Sequence, residues 1–326
     1  MTPVKTAVVG VGAFGEQHAR VLNSSEAAEL VAVVDSDQER AEAVAGKFGC
    51  QALTAIDELA GRVQAVSLVV PTALHSEVGV SLLESGIDVL VEKPIAPSLD
   101  AADALIRAAN ENGRILQVGH LERFNPAVEA AKEQATLPLF FEVHRMSLFS
   151  KRSLDIDVVL DLMIHDLDII LSMVDSPITR LEATGLAVLS SKPDISSVRL
   201  VFENGCVANL TASRASVEKI RKLRFFQPGQ YISIDYTRQD GVVCTVNEQQ
   251  NIAFRQLPVT KGEPLVRQIE SFLQCVQTRK QPRVSGQDAR NTLGVALRIR
   301  EEMERHAGIV TATLARFSHH VTGRSA

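Results

Sequence analysis

Val4-Lys5-Thr6-Ala7-Val8-Val9-Gly10-Val11-Gly12-Ala13-Phe14-Gly15 is the stretch that decides the fold of the first part of the chain. Ala7 to Val9 read as a buried parallel strand, and three glycines follow at the spacing of a strand-to-helix turn. In such a turn Gly10 permits the tight bend. Gly12 lets backbone N–H groups approach an anion, and Gly15 lets the helix lie close on the strand. The helix N-terminus, with Ala13 and Phe14 in its first turn, adds N–H donors and the positive end of a dipole.

The next apolar run, Leu30 to Val34, ends at Asp35, twenty positions beyond Gly15. A carboxylate at that strand tip accepts hydrogen bonds from the ribose hydroxyls of an adenosine. It also repels a 2′-phosphate, and Ser36 and Asp37 provide no cation against that repulsion. The expected cofactor is therefore NAD rather than NADP. Glycines alone are equally compatible with a ligand-free turn; strand, glycines and spaced acid together favour the dinucleotide.

At 326 residues, 45% of them apolar, the chain has material for a sizeable core and two domains. A net charge of −5 offers no basic surface, and no apolar run is long enough to span a membrane. Neither nucleic acid nor membrane is an expected partner. The first strand begins too early for a signal peptide. Cys50, Cys206, Cys244 and Cys275 lack the paired spacing of a zinc or redox site. No metal is expected, and the cytoplasm is the expected compartment.

Through about residue 120, strand patterns at 4–9, 30–34, 64–70, 87–91 and 115–118 alternate with helical ones at 15–23, 37–48, 74–85 and 98–112. A further short helix near 55–60 fits the pattern less well. This rhythm predicts a parallel sheet covered on both faces, with ligands beyond the carboxyl ends of its strands. Two of those ends carry chemistry. After Val70, Pro71 stops the strand, and Thr72 and His75 sit where a cofactor would pass. His75 reads equally well as a surface residue of a helix's first turn. After Val91, Glu92 and Lys93 stand at the mouth of the sheet, and Pro94 admits a cis bond. Lys93 there can hydrogen-bond a substrate hydroxyl; a solvated Glu–Lys pair before a turn is the other reading.

Beyond the polar connector 119–126 and a helix over 126–135, the pattern changes. Alternating segments at 139–148, 178–189, 197–202 and 206–212, and a stretch near 222–246, predict a largely antiparallel sheet. Helices are expected at 264–279 and 286–306, with a weakly patterned tail beyond 308. Within 154–171 the apolar residues recur at helical spacing, and Asp161 and His165 lie one turn apart on another stripe. Asp161 so placed can orient the imidazole of His165 for removal of an alcohol proton. A solvated acidic helix face with an incidental histidine has the same spacing.

Taken together, Gly10-x-Gly12-x-x-Gly15 with Asp35, Glu92-Lys93-Pro94 and Asp161-x-x-x-His165 resemble the Gfo/Idh/MocA family of NAD(P)-dependent oxidoreductases. The resemblance implies an α/β Rossmann domain, taken here as 1–120, that binds NAD through Gly10, Gly12, Ala13, Phe14, Gly15, Asp35, Pro71, Thr72, His75, Glu92 and Lys93. It implies an α+β domain, 121–326, with a large open, mostly antiparallel sheet for substrate binding and for homodimer or homotetramer formation. Lys93, Asp161 and His165 would be its catalytic residues, His165 the base.

A narrower resemblance lies in Gly119 to Val128 and in Phe149-Ser150-Lys151-Arg152. It is to family members that oxidise the 3-hydroxyl of UDP-N-acetylglucosamine toward 2,3-diamino sugars and lipid A precursors. It implies a sugar-nucleotide substrate held by Lys93, Arg123, Asn125, Lys151, Arg152 and His165, the cations meeting the diphosphate. The same cations read as ordinary surface charges, and the basic run Arg214 to Arg224 is a second place for the nucleotide. Rival expectations are a dehydrogenase of a free cyclitol or hexose, an imine or aldehyde reductase, and a non-catalytic NAD-binding regulator.

Overall fold

A computed structural model describes residues 2–149, 156–247 and 249–322, with side chains to residue 313. The chain forms two compact units, one of Met1–Asn125 and Gly262–Leu293, the other of Pro126–Lys261 and Gly294–Ala326.

In the first unit, strands β1 (Val4–Val9), β2 (Ala28–Val34), β3 (Gln51–Leu53), β4 (Ala65–Leu68), β5 (Asp88–Glu92) and β6 (Leu116–Gly119) alternate with helices. These are α1 (Ala13–Ser24), α2 (Gln38–Phe48), α3 (His75–Glu84) and α4 (Leu99–Glu111). The sheet runs β3-β2-β1-β4-β5-β6, and every pairing is parallel. Strands β4, β5 and β6 are buried throughout, as expected where crossover helices cover both faces. The expected Rossmann fold is present, and β3 is the strand that the sequence pattern does not signal. It has three residues, too few for a period. The short helix expected near 55–60 is a 3₁₀ turn, Ile56–Leu59.

The second unit holds α5 (Pro126–Gln134), β7 (Phe140–Leu148), a π-helical turn (Val159–Met163) and α6 (Ile164–Leu171). Seven more strands follow: β8 (Ile178–Leu186), β9 (Ile195–Phe202), β10 (Val207–Ser216), β11 (Ile220–Gln227), β12 (Gln230–Asp235), β13 (Asp240–Val246) and β14 (Ile252–Gln256). Their order is β14-β13-β12-β11-β7-β10-β9-β8, antiparallel except for β7 with β10. One face packs Phe141, Leu200, Leu210, Phe225 and Ile232 into a core shared with Met163, Leu167 and Ile170. On the other face Val207, Phe140, Phe226, Tyr231, Cys244 and Phe254 are cross-strand neighbours in one continuous row. β14 escapes the sequence reading because all five of its residues are exposed and so show no alternation.

The chain then returns to the first unit through α7 (Pro264–Thr278) and the start of α8 (Gly286–Thr322). A single boundary at residue 120 is what the sequence suggests. The return happens because α7 buries Leu265, Ile269, Phe272 and Leu273 in a core with Val4, Val8 and Leu22. Val118 N–H also bonds Val284 O at 3.1 Å. α8 runs well past the expected end at 306. Residues 304–313 are largely exposed, which is why the pattern fades there.

The segment expected as one helix over 154–171 is a π turn followed by α6, within the described residues from Ile156 onward. Ile164 N–H reaches back five residues to Val159 O. Two buried ion pairs fasten the surroundings. Arg145 of β7 meets Asp166 of α6 at 2.6 and 2.9 Å, both side chains 2% exposed. Asp194 accepts the N–H groups of Val188, Leu189 and Ser190 and the Arg214 guanidinium at 2.6 to 2.9 Å. Arg214 in turn donates to Ile156 O at 2.8 Å, just before the π turn.

Breaking a buried pair by removing one partner strands the other charge. Arg145→Met should therefore cost about 3–5 kcal/mol, and adding Asp166→Leu should return most of it. Denaturant unfolding of the two variants checks this. Burial alone would raise the pKa of Asp194. The Ser190 hydroxyl, the Leu189 N–H, Arg214 and the Val188 N–H more than offset it and hold the carboxyl far below the usual carboxylate range. A depressed pKa adds stability that is complete above the unfolded value, about 3.9, and is lost as pH falls below it. Asp194→Asn should thus lower stability at neutral pH and flatten the loss below about pH 4, as followed by thermal midpoints against pH.

Candidate functional site

At the end of β1 the three glycines differ in what they tolerate. Gly10 has φ +85°, and a Cβ there would lie 2.7 Å from Val69 O. A Cβ on Gly15 would come within 1.9 Å of Gly10 O, so α1 is pressed onto the turn it leaves. A Cβ on Gly12 would meet nothing within 4 Å. Gly12 is also the N-cap of α1, with no side chain capping the helix. Gly12, Ala13 and Phe14 are exposed, Gly15 is buried. An uncapped helix start beneath open space is a cradle for a phosphate group.

Asp35 completes this corner. Its Oδ2 accepts Val11 N–H at 2.9 Å and its Oδ1 accepts Asp37 N–H at 3.0 Å. The carboxylate is thereby turned from the tip of β2 toward the glycine turn. Arg40 Nη1 approaches both Asp35 oxygens, at 3.3 and 3.4 Å, and its Nη2 donates to Asp37 at 2.9 Å. No cation is expected beside Asp35 from Ser36 and Asp37; Arg40 supplies one from the first turn of α2. The open cradle and the oriented carboxylate fit an adenine dinucleotide.

At the two other strand ends, Pro71 is exposed and Thr72 half-buried, while His75 is 1% exposed and not the surface residue its position allowed. Its Nδ1 lies 2.9 Å from Pro94 O and its Nε2 2.9 Å from Val70 O. Burial pushes this imidazole's pKa down. The neutral ring, with one N–H, donates to one of the two carbonyls. His75 thus stands between the turn after β4 and the turn after β5, with a carbonyl of each beside its ring.

Glu92 is 8% exposed and lies against Gly119, where a Cβ would fall 2.2 Å from its Oε1. His18 Nε2 and Gln268 Nε2 each stand 3.4 Å from that oxygen, and Lys93 N–H donates to Oε2 at 3.2 Å. His18, itself fully buried, meets Ser67 Oγ at 2.5 Å through Nδ1. Lys93 is half-buried, and the Lys93–Pro94 bond is cis. His18, Ser67 and Gln268 carry no sequence signal of this role, because the approach of His18 and Gln268 to Glu92, and of Ser67 to His18, exists only once α1, β4 and α7 are packed.

The connector 119–126 is not the solvated segment its polarity suggests. His120, Glu122, Arg123 and Asn125 are all buried. Arg123 Nη2 donates to Arg283 O at 3.2 Å, and Asn125 Nδ2 to Glu122 at 3.0 Å. Arg123 is therefore not an ordinary surface cation. Lys151 and Arg152 lie outside the described residues.

In the second unit, Asp161 sits in the π turn and His165 in the first turn of α6, both half-buried. π turns inserted before α-helices occur often at functional sites. Asp157 accepts Val159 and Leu160 N–H at 2.9 and 3.1 Å and meets Arg300 at 2.7 Å, which anchors the turn's start. Arg214, one end of the alternative basic cluster, is committed to Asp194 and buried, so it does not offer a surface charge. A cavity of about 370 Å³ beside this anchor is lined by Asp157, Lys192, Arg300 and Glu304. Among the described residues no cluster suited to a metal ion occurs, the four cysteines are free thiols, and no helix is long and apolar enough to cross a membrane.

Residues 4–120 match the family described as an oxidoreductase family with an NAD-binding Rossmann fold, and residues 128–227 match the GFO/IDH/MocA C-terminal domain. The UDP-N-acetylglucosamine 3-dehydrogenase of Acidithiobacillus ferrooxidans is 34% identical over 313 residues, 93% of this chain and 98% of that one. A solved structure of that enzyme superposes with a TM-score of 0.89 at 33% identity, covering 94% and 99% of the two chains. The scyllo-inositol 2-dehydrogenase (NAD(+)) of Bacillus subtilis is 28% identical over 321 residues, 90% of this chain and 92% of that one.

The glycine geometry separates binding from folding. Gly12→Ala should leave the thermal midpoint nearly unchanged and weaken NAD binding by about tenfold or more, because its methyl enters the open cradle. Gly15→Ala should lower the midpoint as well. Calorimetric titration and thermal unfolding of both variants read the difference.

Proposed function

The chain belongs to the Gfo/Idh/MocA family of oxidoreductases, and from that premise we propose that it oxidises the 3-hydroxyl of UDP-N-acetylglucosamine with NAD. The observation that carries this substrate is the near full-length identity of 34% to a relative named for that reaction. The inositol dehydrogenase relative, at 28%, supports a free cyclitol less well.

The dinucleotide would be held by the turn Gly10 to Gly15, with Asp35 on the adenosine ribose and the strand-end turns of Pro71, Thr72, Glu92 and Lys93 along its length. Bound NAD supplies the acceptor for the hydride that leaves the sugar's C3. His165 takes the proton of the 3-hydroxyl as the carbonyl forms, and Asp161 sets its tautomer. Lys93 hydrogen-bonds the same hydroxyl and favours its ionisation. Arg123 and Asn125, with Lys151 and Arg152, are the proposed contacts of the sugar nucleotide. The half-exposed aromatic row on the open sheet suits burial against a second copy, making a homodimer or homotetramer. UDP-N-acetylglucosamine and NAD are cytoplasmic metabolites, so the cytoplasm is the compartment this reading requires. The product would feed synthesis of 2,3-diamino sugars and lipid A precursors.

His165→Ala and Lys93→Ala should each lower kcat by about 10²- to 10⁴-fold while the Kd for NAD stays within about twofold. Parallel loss of NAD binding and turnover would contradict the assigned roles. UDP should raise the thermal midpoint, since a ligand stabilises the state that binds it, and myo-inositol should not. The reverse result would move the substrate to the cyclitols.

A further inference from the structure

The corner around Asp35 contains a charge that a simple NAD site does not need. We propose that Arg40 is a masked 2′-phosphate-binding residue: Asp35 and Asp37 neutralise it beside the ribose end of the cradle, and that masking sets the preference for NAD. The inference rests on the dinucleotide reading of the glycine turn and names which residue governs its selectivity.

Three observations carry it. Arg40 Nη1 lies 3.3 and 3.4 Å from the two oxygens of Asp35, the carboxylate assigned to the ribose hydroxyls. Its Nη2 is held at 2.9 Å by Asp37, so the guanidinium is drawn to this corner from both sides. The Asp35 side chain is 7% exposed, whereas Arg40 is 49% exposed. The cation therefore presents a solvent-facing surface at the place where a phosphate on the ribose 2′-oxygen would project.

Charge decides the outcome. Two carboxylates and one guanidinium leave a net negative corner, which repels a 2′-phosphate although a cation stands within reach. Neutralising Asp35 balances the corner, and neutralising Asp37 as well leaves Arg40 unmasked. A guanidinium fork suits a phosphate, and charge-assisted bonds to it are strong. Serine is the appropriate replacement for Asp37, which caps α2 by accepting Arg40 N–H at 3.1 Å, because serine also caps.

The test is calorimetric titration with NAD and NADP, and with AMP and adenosine 2′,5′-bisphosphate as probes of the adenosine end alone. Wild type should prefer NAD and AMP. Asp35→Ser/Asp37→Ser should improve binding of NADP and of the bisphosphate by about ten- to a hundredfold, with strong salt dependence. Adding Arg40→Ala to that pair should abolish most of the gain, while circular dichroism shows the fold retained. A gain of equal size with alanine at position 40 would overturn the inference and leave relief of repulsion as the whole effect, with NAD binding by wild type intact. Absence of NAD binding by wild type would overturn the dinucleotide reading and the inference together.

Discussion

A methyl group on residue 15 would have to share space with the carbonyl oxygen of Gly10, 1.9 Å away. The missing side chain lets α1 lie this close to the end of β1, and much of the first unit follows from it. With the helix so close, its uncapped start opens directly above the strand tip, and the N–H of Val11 is left to orient Asp35 at the neighbouring tip. Parallel strands bring the ends of β4 and β5 to the same edge of the sheet, where the His75 ring lies 2.9 Å from a carbonyl oxygen of each turn and donates to one of them. A close helix–strand approach thus leaves an open, uncapped helix start of the kind that suits a phosphate, flanked by polar side chains already held in place.

In the second unit buried charge does comparable work. The turn that carries Asp161 and the helix that carries His165 are not held by apolar packing alone. Arg145 grips Asp166 from β7, Arg300 grips Asp157, and Arg214 grips the carbonyl of Ile156 while Asp194 holds Arg214. Such pairs contribute little net stability compared with apolar replacements, but each is satisfied in one register of helix on sheet. They are suited to fixing where the half-buried imidazole of His165 stands.

Much of this was legible in the sequence where the signal is local. The apolar run of β1, the glycine spacing and Asp35 sit within one βαβ unit, and each has a mechanical reason tied to sequence distance. The Asp161–His165 spacing was legible as a pattern, but not the π turn beneath it, since one extra residue in a helical hydrogen bond leaves no mark in hydropathy. Arg40 was invisible because its relation to Asp35 depends on α2 folding back over the strand tip. The amphipathic face of α7 announced that something is buried, but not that it is buried in the first unit. β3 and β14 were too short or too exposed to show a period. Burial of Arg123 ran against its polar surroundings, which promised a solvated connector.

Whether this chain is a sugar-nucleotide dehydrogenase is tested most directly by the fate of one hydrogen atom. UDP-N-acetylglucosamine carrying deuterium at C3, incubated with the protein and NAD, should yield reduced nicotinamide that contains the deuterium and a 3-keto sugar nucleotide that lacks it. Turnover should also be slower than with the unlabelled substrate wherever the C–H cleavage limits the rate. Label retained at C3, with NAD still oxidised and a free cyclitol reducing it instead, would contradict the account.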